Sequence, residues 1–316
     1  MRTIVISLLF VAELPVLQAQ LPSRPRPELT EGSRLAVPGG HIWYRVIGKG
    51  DGTPVVLLHG GPGNPSVYLK SLEVLGDERI VVRYDQLGAG YSDVVHDTSV
   101  FNIPHYVQEL ELLRRHLGVD RLHLYGHSWG ATLAVEYYRA HSDHVTSLIL
   151  AGETLDLPAF AANVRRIFAE MPDPLSRAVR QRAAGEPYDT VAMQAAMRRF
   201  RSHFAHSPVA AEADTLARLT NPEIANYMNG TSPFAPTGTL RQYDATPFLK
   251  QIKVPVLFIV GEFDVSGPDN IRRHASITPN SKLVVIPNAG HHTQWDDLPA
   301  TLAAVRSFLR DVESGR

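Results

Sequence analysis

Three side chains that together can split an acyl bond occur in this chain in the order serine, aspartate, histidine. Ser128 lies in Gly126-His127-Ser128-Trp129-Gly130, where an apolar run (Leu122-His123-Leu124-Tyr125) meets a tight turn and then a helical pattern. A strand-to-helix turn of this Gly-x-Ser-x-Gly type forces the serine into a strained backbone position and lifts its hydroxyl clear of the sheet. A serine hydroxyl is a poor nucleophile until a base takes its proton, and the base needs a carboxylate to orient it. Asp264 follows the apolar run 254–260 through Gly261-Glu262-Phe263, and His291 follows Lys282–Ile286 through Pro287-Asn288-Ala289-Gly290. Their rivals are Glu262 and Asp269 for the acid and the adjacent His292 for the base.

Acyl transfer also needs amide donors for the oxyanion of its tetrahedral intermediate. The N–H of Trp129, directly after the nucleophile, is one expected donor. The other is the N–H of Gly61 in His59-Gly60-Gly61-Pro62-Gly63, a glycine-rich segment that directly follows the early apolar run Pro54–Leu58. His59 reads as a loop-holding residue, since no carboxylate–histidine spacing of a metal site surrounds it. Asp85-Gln86-Leu87-Gly88-Ala89-Gly90 lacks the Lys and Ser/Thr of a nucleotide-phosphate loop, so Asp85 reads as fixing its own turn. This chemistry calls for no metal and no organic cofactor.

These residues need a scaffold that delivers them to one place. Residues 34–47 suggest an opening hairpin. Short apolar runs at 54–58, 80–84, 122–125, 146–151, 254–260 and 282–286 alternate with helical stretches at 67–75, 103–117 and 298–310. Buried strands alternating with helices predict an α/β fold with a mostly parallel central sheet covered on both faces. From about 155 to 245 helix formers dominate, broken by Pro172, Pro174, Pro187, Pro208 and Pro222. The expected division is therefore a core of 34–152 with 246–316 and an inserted helical cap of 153–245. Arg165-Arg166 and Arg198-Arg199 are expected to face solvent on cap helices. Phe200, Phe204, Tyr227 and Phe234 are expected in packing of the cap or around its substrate pocket.

Composition narrows the partners. The 316 residues carry 31 Lys plus Arg against 32 Asp plus Glu, a formal charge of −1, which argues against nucleic acid as the main partner. With no cysteine, disulfides, thiolate catalysis and cysteine-based zinc sites are excluded. Residues 1–20, apolar after Arg2 and with a small residue at Ala19, read as a short secretory signal, and 21–33, with Pro22, Pro25 and Pro27, as an extended linker. The chain is accordingly expected to be exported to a periplasm or the extracellular space, with a cytoplasmic location as the alternative. The apolar stretch is too short to span a bilayer.

In combination, His59-Gly60-Gly61-Pro62-Gly63, Asp85-Gln86-x-Gly-x-Gly and Gly126-x-Ser128-Trp129-Gly130 resemble the proline iminopeptidase family of α/β-hydrolases. Tyr227-Met228-Asn229-Gly230 with Phe234, Gly238 and Asp244 is similar to its tricorn-interacting aminopeptidase branch. Gly261-Glu262-Phe263-Asp264 and His291-His292-Thr293-Gln294-Trp295-Asp296-Asp297 extend the likeness, which covers roughly residues 35 to 312. The resemblance implies an aminopeptidase that removes a proline or small apolar residue from peptides or amides through an acyl-enzyme. It also supports Ser128, Asp264 and His291 by position. One departure bears on substrate. The family grips the free amine with cap glutamates, one of them just before the phenylalanine after Met-Asn-Gly. Here Thr231-Ser232-Pro233-Phe234 places proline at that point. Glu212 and Glu223 are the cap acids that would replace it. Losing a carboxylate from an ammonium site weakens both charge pairing and desolvation balance. Two alternatives therefore stand beside the aminopeptidase: an esterase or amidase that needs no free amine, and a catalytically silent ligand-binding protein.

Overall fold

The computed structural model describes residues 31–205, 210–231 and 236–315, without the side chains of 210–214. Residues 1–30, which carry the export reading and most of the linker, lie outside the described residues. Among those described, no helix is long and apolar enough to cross a membrane.

Eight strands form one sheet: β1 (Ser33–Val37), β2 (Gly40–Ile47), β3 (Val55–Leu58), β4 (Val81–Asp85), β5 (Leu122–His127), β6 (Val145–Ala151), β7 (Val256–Gly261) and β8 (Ser281–Ile286). Their order is β1-β2-β4-β3-β5-β6-β7-β8. The opening hairpin β1–β2 is antiparallel and joins β4 antiparallel, while all later pairings are parallel. Strands β3, β5 and β7 are buried along their whole length, as parallel strands covered on both faces must be.

The period of two in β3 divides the core. Val56 and Leu58 face one layer, with Tyr106, Leu110 and Leu113 of α1 (Ile103–His116) and Leu133 and Tyr137 of α2 (Trp129–Ala140). Val55 and Leu57 face the other layer, with Tyr68, Leu69 and Leu72 of a 3-10 segment (Ser66–Asp77). Asn102 starts α1 by accepting the His105 amide at 2.9 Å, the side-chain cap that such a helix start favours.

Between β6 and β7 the chain is helical: α3 (Leu157–Ala169), α4 (Leu175–Ala183), α5 (Thr190–Arg201), α6 (Ala210–Leu219), α7 (Pro222–Met228) and α8 (Thr246–Leu249). Helices α3 to α5 enclose a core of their own (Phe160, Val164, Phe168, Val179, Met193, Phe200) that reaches the rest of the molecule through Val265. Arg165, Arg166, Arg198 and Arg199 are exposed, as the sequence suggests. The remaining helices are α9 (Pro268–Ile277), α10 (Thr293–Asp296) and α11 (Leu298–Glu313). Of these, α11 adds Val305, Phe308 and Leu309 to the layer beneath β3.

Strand order decides where chemistry can occur. The chain turns from β3 outward to β4 and then returns to β5 on the other side of β3, so the loops leaving β3 and β5 diverge. A crevice opens there, beyond the carboxyl ends of the strands. The register pairs Leu58 with Gly126 and His127 with Ala151. It also pairs Ala151 with Ile259 and Gly261 with Ile286. His59, Ser128, Gly152, Glu262 and Pro287 thus leave the sheet along one edge.

Candidate active site

Ser128 joins β5 to α2 with φ 57° and ψ −122°, a left-handed conformation that few side chains tolerate. Close packing on both sides imposes it. A Cβ on Gly126 would lie 2.3 Å from the Gly130 carbonyl oxygen, and one on Gly130 would lie 2.1 Å from that of Leu58. The two glycines therefore let helix and strand approach closely enough to hold the serine in its strained turn. Its amide donates to the Ala151 carbonyl at 2.9 Å, which anchors the turn to β6.

The loops after β7 and β8 bring an acid and an imidazole together. His291 Nδ1 lies 2.8 Å from Asp264 Oδ1, and both side chains are buried. Asp264 Oδ1 also accepts the Ser266 amide at 2.8 Å. Burial alone would raise the Asp264 carboxyl, but the His291 charge, its hydrogen bond and the Ser266 amide together hold it below the ordinary carboxylate range. Asp264 is therefore ionised and accepts the Nδ1 hydrogen, which leaves the lone pair of His291 on Nε2. The rivals make other contacts. Glu262 caps the Asn288 amide at 2.9 Å, the Asp269 side chain is fully exposed, and His292 stacks on Trp295 with ring centres 4.5 Å apart.

Gln86 links the two segments expected to supply amide donors. Its amide donates to His59 Nε2 at 2.9 Å and its side-chain nitrogen to the His59 carbonyl at 3.0 Å. Its Oε1 accepts the Trp129 indole at 2.8 Å. Because His59 Nε2 accepts, Nδ1 carries the hydrogen and donates to the Gly60 carbonyl at 3.0 Å. Burial lowers the His59 pKa, against the pull of Asp85, so a neutral imidazole holds the loop. Asp85 accepts from the amides of Ser66 and Tyr91, the turn-fixing role read from the sequence. The Trp129 N–H opens α2 and has no acceptor within the helix. On the loop side, Asn229 donates to the Gly61 carbonyl at 3.0 Å.

Ser128, Trp129, Gly61 and His291 line one cavity of about 60 Å³. Its apolar wall is Leu157, Phe160, Phe204 and Leu240; Asn64, Thr154 and Asn229 supply polar atoms. Among the described residues that line it, none is a carboxylate. Phe204 stands edge-on to His291, ring centres 5.7 Å apart. The insert is also tied to the base itself: the amides of His291 and His292 donate to the carbonyls of His203 and Phe204 at 2.9 and 2.7 Å.

Two expected substrate contacts are placed elsewhere. In α7, Ile224, Ala225 and Met228 turn inward, so Glu223 and Tyr227, four residues apart, share the outer face. Glu223 meets His96 at 2.8 Å on the surface, and Tyr227 is half-exposed against Phe101. Neither reaches the cavity, which corrects the expectation for both. The Glu212 side chain and Phe234 lie outside the described residues. The sequence assigns no role to Gln86 or Asn229; the nearest signal is their place within the motifs Asp85-Gln86 and Met228-Asn229-Gly230.

Residues 53–298 match a family described by its alpha/beta hydrolase fold. A proline iminopeptidase of Heyndrickxia coagulans is 32% identical over 288 residues, covering 90% of this chain and 99% of that protein. The crystal structure of a proline iminopeptidase from Mycobacterium smegmatis superposes with a TM-score of 0.83 at 26% identity, covering 90% of this chain and 99% of that one. A thermophilic esterase from Thermogutta terrifontis gives a TM-score of 0.64 at 26% identity, with 89% of this chain and 99% of that one covered.

Proposed function

The chain belongs to the proline iminopeptidase branch of the α/β-hydrolases, and from that premise we propose that it removes an N-terminal proline or small apolar residue from peptides or amides through an acyl-enzyme on Ser128. The observation that carries this reading is one cavity that holds Ser128 at its strained turn beside His291, itself bonded to a buried Asp264. In the proposed cycle His291 Nε2 takes the Ser128 proton as Oγ attacks the scissile carbonyl. The oxyanion is met by the amides of Gly61 and Trp129. The imidazolium then protonates the leaving amine, and a water activated by the same nitrogen releases the acid. Asp264 holds the reactive tautomer throughout. The apolar wall of the cavity suits a compact acyl group such as prolyl or alanyl.

A second reading, an esterase or amidase indifferent to a free amine, is favoured by one observation. The described cavity wall offers no carboxylate to an ammonium group, and Glu223 is turned to the surface.

One panel tests both readings: prolyl and alanyl p-nitroanilides, their N-acetylated forms, and p-nitrophenyl acetate. A kcat/KM at least about tenfold higher for the free-amine substrates supports the aminopeptidase, a difference of roughly 1.4 kcal/mol. Equal or higher values for the acetylated forms and the ester select the second reading. Ser128→Ala should lose about 10⁴-fold or more in kcat while keeping its fold; full activity in that variant would end both.

A further inference from the structure

Three histidines crowd the floor of the cavity, and His127, the residue before Ser128, touches more of the machinery than its place in the motif requires. Its Nε2 lies 2.9 Å from the carbonyl oxygen of His291, and its Nδ1 2.9 Å from the hydroxyl of Tyr68. The Tyr68 oxygen is 2.6 Å from the amide of Gly60, the neighbour of Gly61.

These contacts fix every proton. A carbonyl only accepts, so His127 Nε2 carries the hydrogen and Nδ1 presents a lone pair. The Tyr68 hydroxyl donates to that lone pair, and its oxygen accepts the Gly60 N–H. Burial pushes the His127 pKa down to about 3 and the Tyr68 hydroxyl well above its ordinary range. Both groups therefore stay neutral while a neighbouring ring gains and loses a proton. The His127 ring centre is 4.6 Å from that of His291, and on another side it stacks against His292 at 4.9 Å. Trp295, stacked in turn on His292, donates its indole N–H to the Tyr68 carbonyl at 3.1 Å.

We propose that Tyr68 and His127 are positioning residues that tie the backbone of the base to the oxyanion turn, holding His291 and Gly61 in register about Ser128. The proposal rests on the serine-hydrolase reading. It assigns the pair an effect on turnover beyond the stability that any satisfied buried hydrogen bond contributes. A displacement of about 1 Å at either end is enough to cost orders of magnitude in rate.

The test uses the full chain with Tyr68→Phe, His127→Leu and His127→Gln, the last keeping one donor and one acceptor. Turnover of prolyl p-nitroanilide or p-nitrophenyl acetate by the parent, lost in Ser128→Ala, first establishes the hydrolase reading independently. Tyr68→Phe and His127→Leu should then lower kcat by about 10- to 100-fold with KM within roughly twofold. The Ki of n-butylboronic acid, which forms a tetrahedral adduct, should rise in step. His127→Gln should recover most of the loss seen in His127→Leu. If His127→Leu does not fold, Tyr68→Phe decides, because it removes a single oxygen. A kcat within twofold of the parent in Tyr68→Phe, or a lower melting temperature with kcat and boronate affinity unchanged, overturns the proposal.

Discussion

Gly152 lies so close to His291 that a Cβ on it would stand 2.7 Å from His291 Nδ1 and 3.0 Å from Asp264 Oδ2. The first residue after β6 is thus the floor on which the acid–base pair rests. Its φ of 50° adds a conformational reason for glycine. Gly152→Ala should lower kcat by about 100-fold or more by displacing the imidazole from Ser128. Circular dichroism should show the fold retained. Steady-state kinetics on that variant, beside the rate at which a fluorophosphonate labels Ser128, would measure the displacement.

Asp264→Asn tests the tautomer. An amide in place of the carboxylate can donate toward Nδ1, turning the lone pair of His291 away from Nε2. A loss of roughly 10³- to 10⁴-fold in kcat is expected, with KM changed little. A loss below tenfold would remove Asp264 from the mechanism.

Glu109 of α1 gives a pH signature unrelated to catalysis. Burial pushes its carboxyl up to about 8, against the Leu87 amide that it accepts at 3.0 Å. Between the unfolded value near 4.5 and about 8, the folded state holds a proton that the unfolded state has released. Stability therefore falls as pH rises through that window, by up to about 1.4 kcal/mol per unit. Glu109→Gln removes the proton while keeping an acceptor for Leu87. Its melting temperature should match the parent near pH 4.5 and exceed it by a widening margin up to pH 8. Parallel curves across that range would show that Glu109 is ionised in the folded protein.

The proline at 233 can be replaced by an acid. If a free amine is bound near the segment that follows Met228-Asn229-Gly230, Pro233→Glu should raise kcat/KM for prolyl p-nitroanilide relative to its N-acetylated form. A gain of about tenfold is the scale of one charge-assisted contact. An unchanged ratio in folded protein would place the amine elsewhere.

How legible the site is in the sequence depends on how local its cause is. Ser128 and its glycines announce themselves because the turn's steric demands fall within five consecutive residues. Asp264 and His291 are readable because each follows a strand by a short loop, so chain order alone brings them to one sheet edge. Glu223 and Tyr227 mislead because the seven residues of α7 are too few to reveal which face turns inward. Ile224, Ala225 and Met228 settle that only in three dimensions. Glu109 looks like an ordinary exposed helix acid, and only the aromatic layer around it makes it otherwise. The fold is more legible than the site, since fully apolar strands such as Val256–Gly261 leave little choice of environment. The antiparallel join of β2 to β4 has no such signature.

The two carbonyls of His203 and Phe204 that hold the His291 and His292 amides carry no side-chain code at all, yet they constrain how this enzyme can be rebuilt. Swapping the helical insert for one of different specificity would also exchange the hook on which the base hangs. A chimera joined at the ends of β6 and β7 should therefore bind new acyl groups and turn them over slowly. One that keeps the residues around 203–204 and changes only the wall at Leu157, Phe160 and Leu240 should keep its speed. Specificity and rate are thus inherited from adjoining stretches of the same graft, and an engineer has to separate them at Phe204.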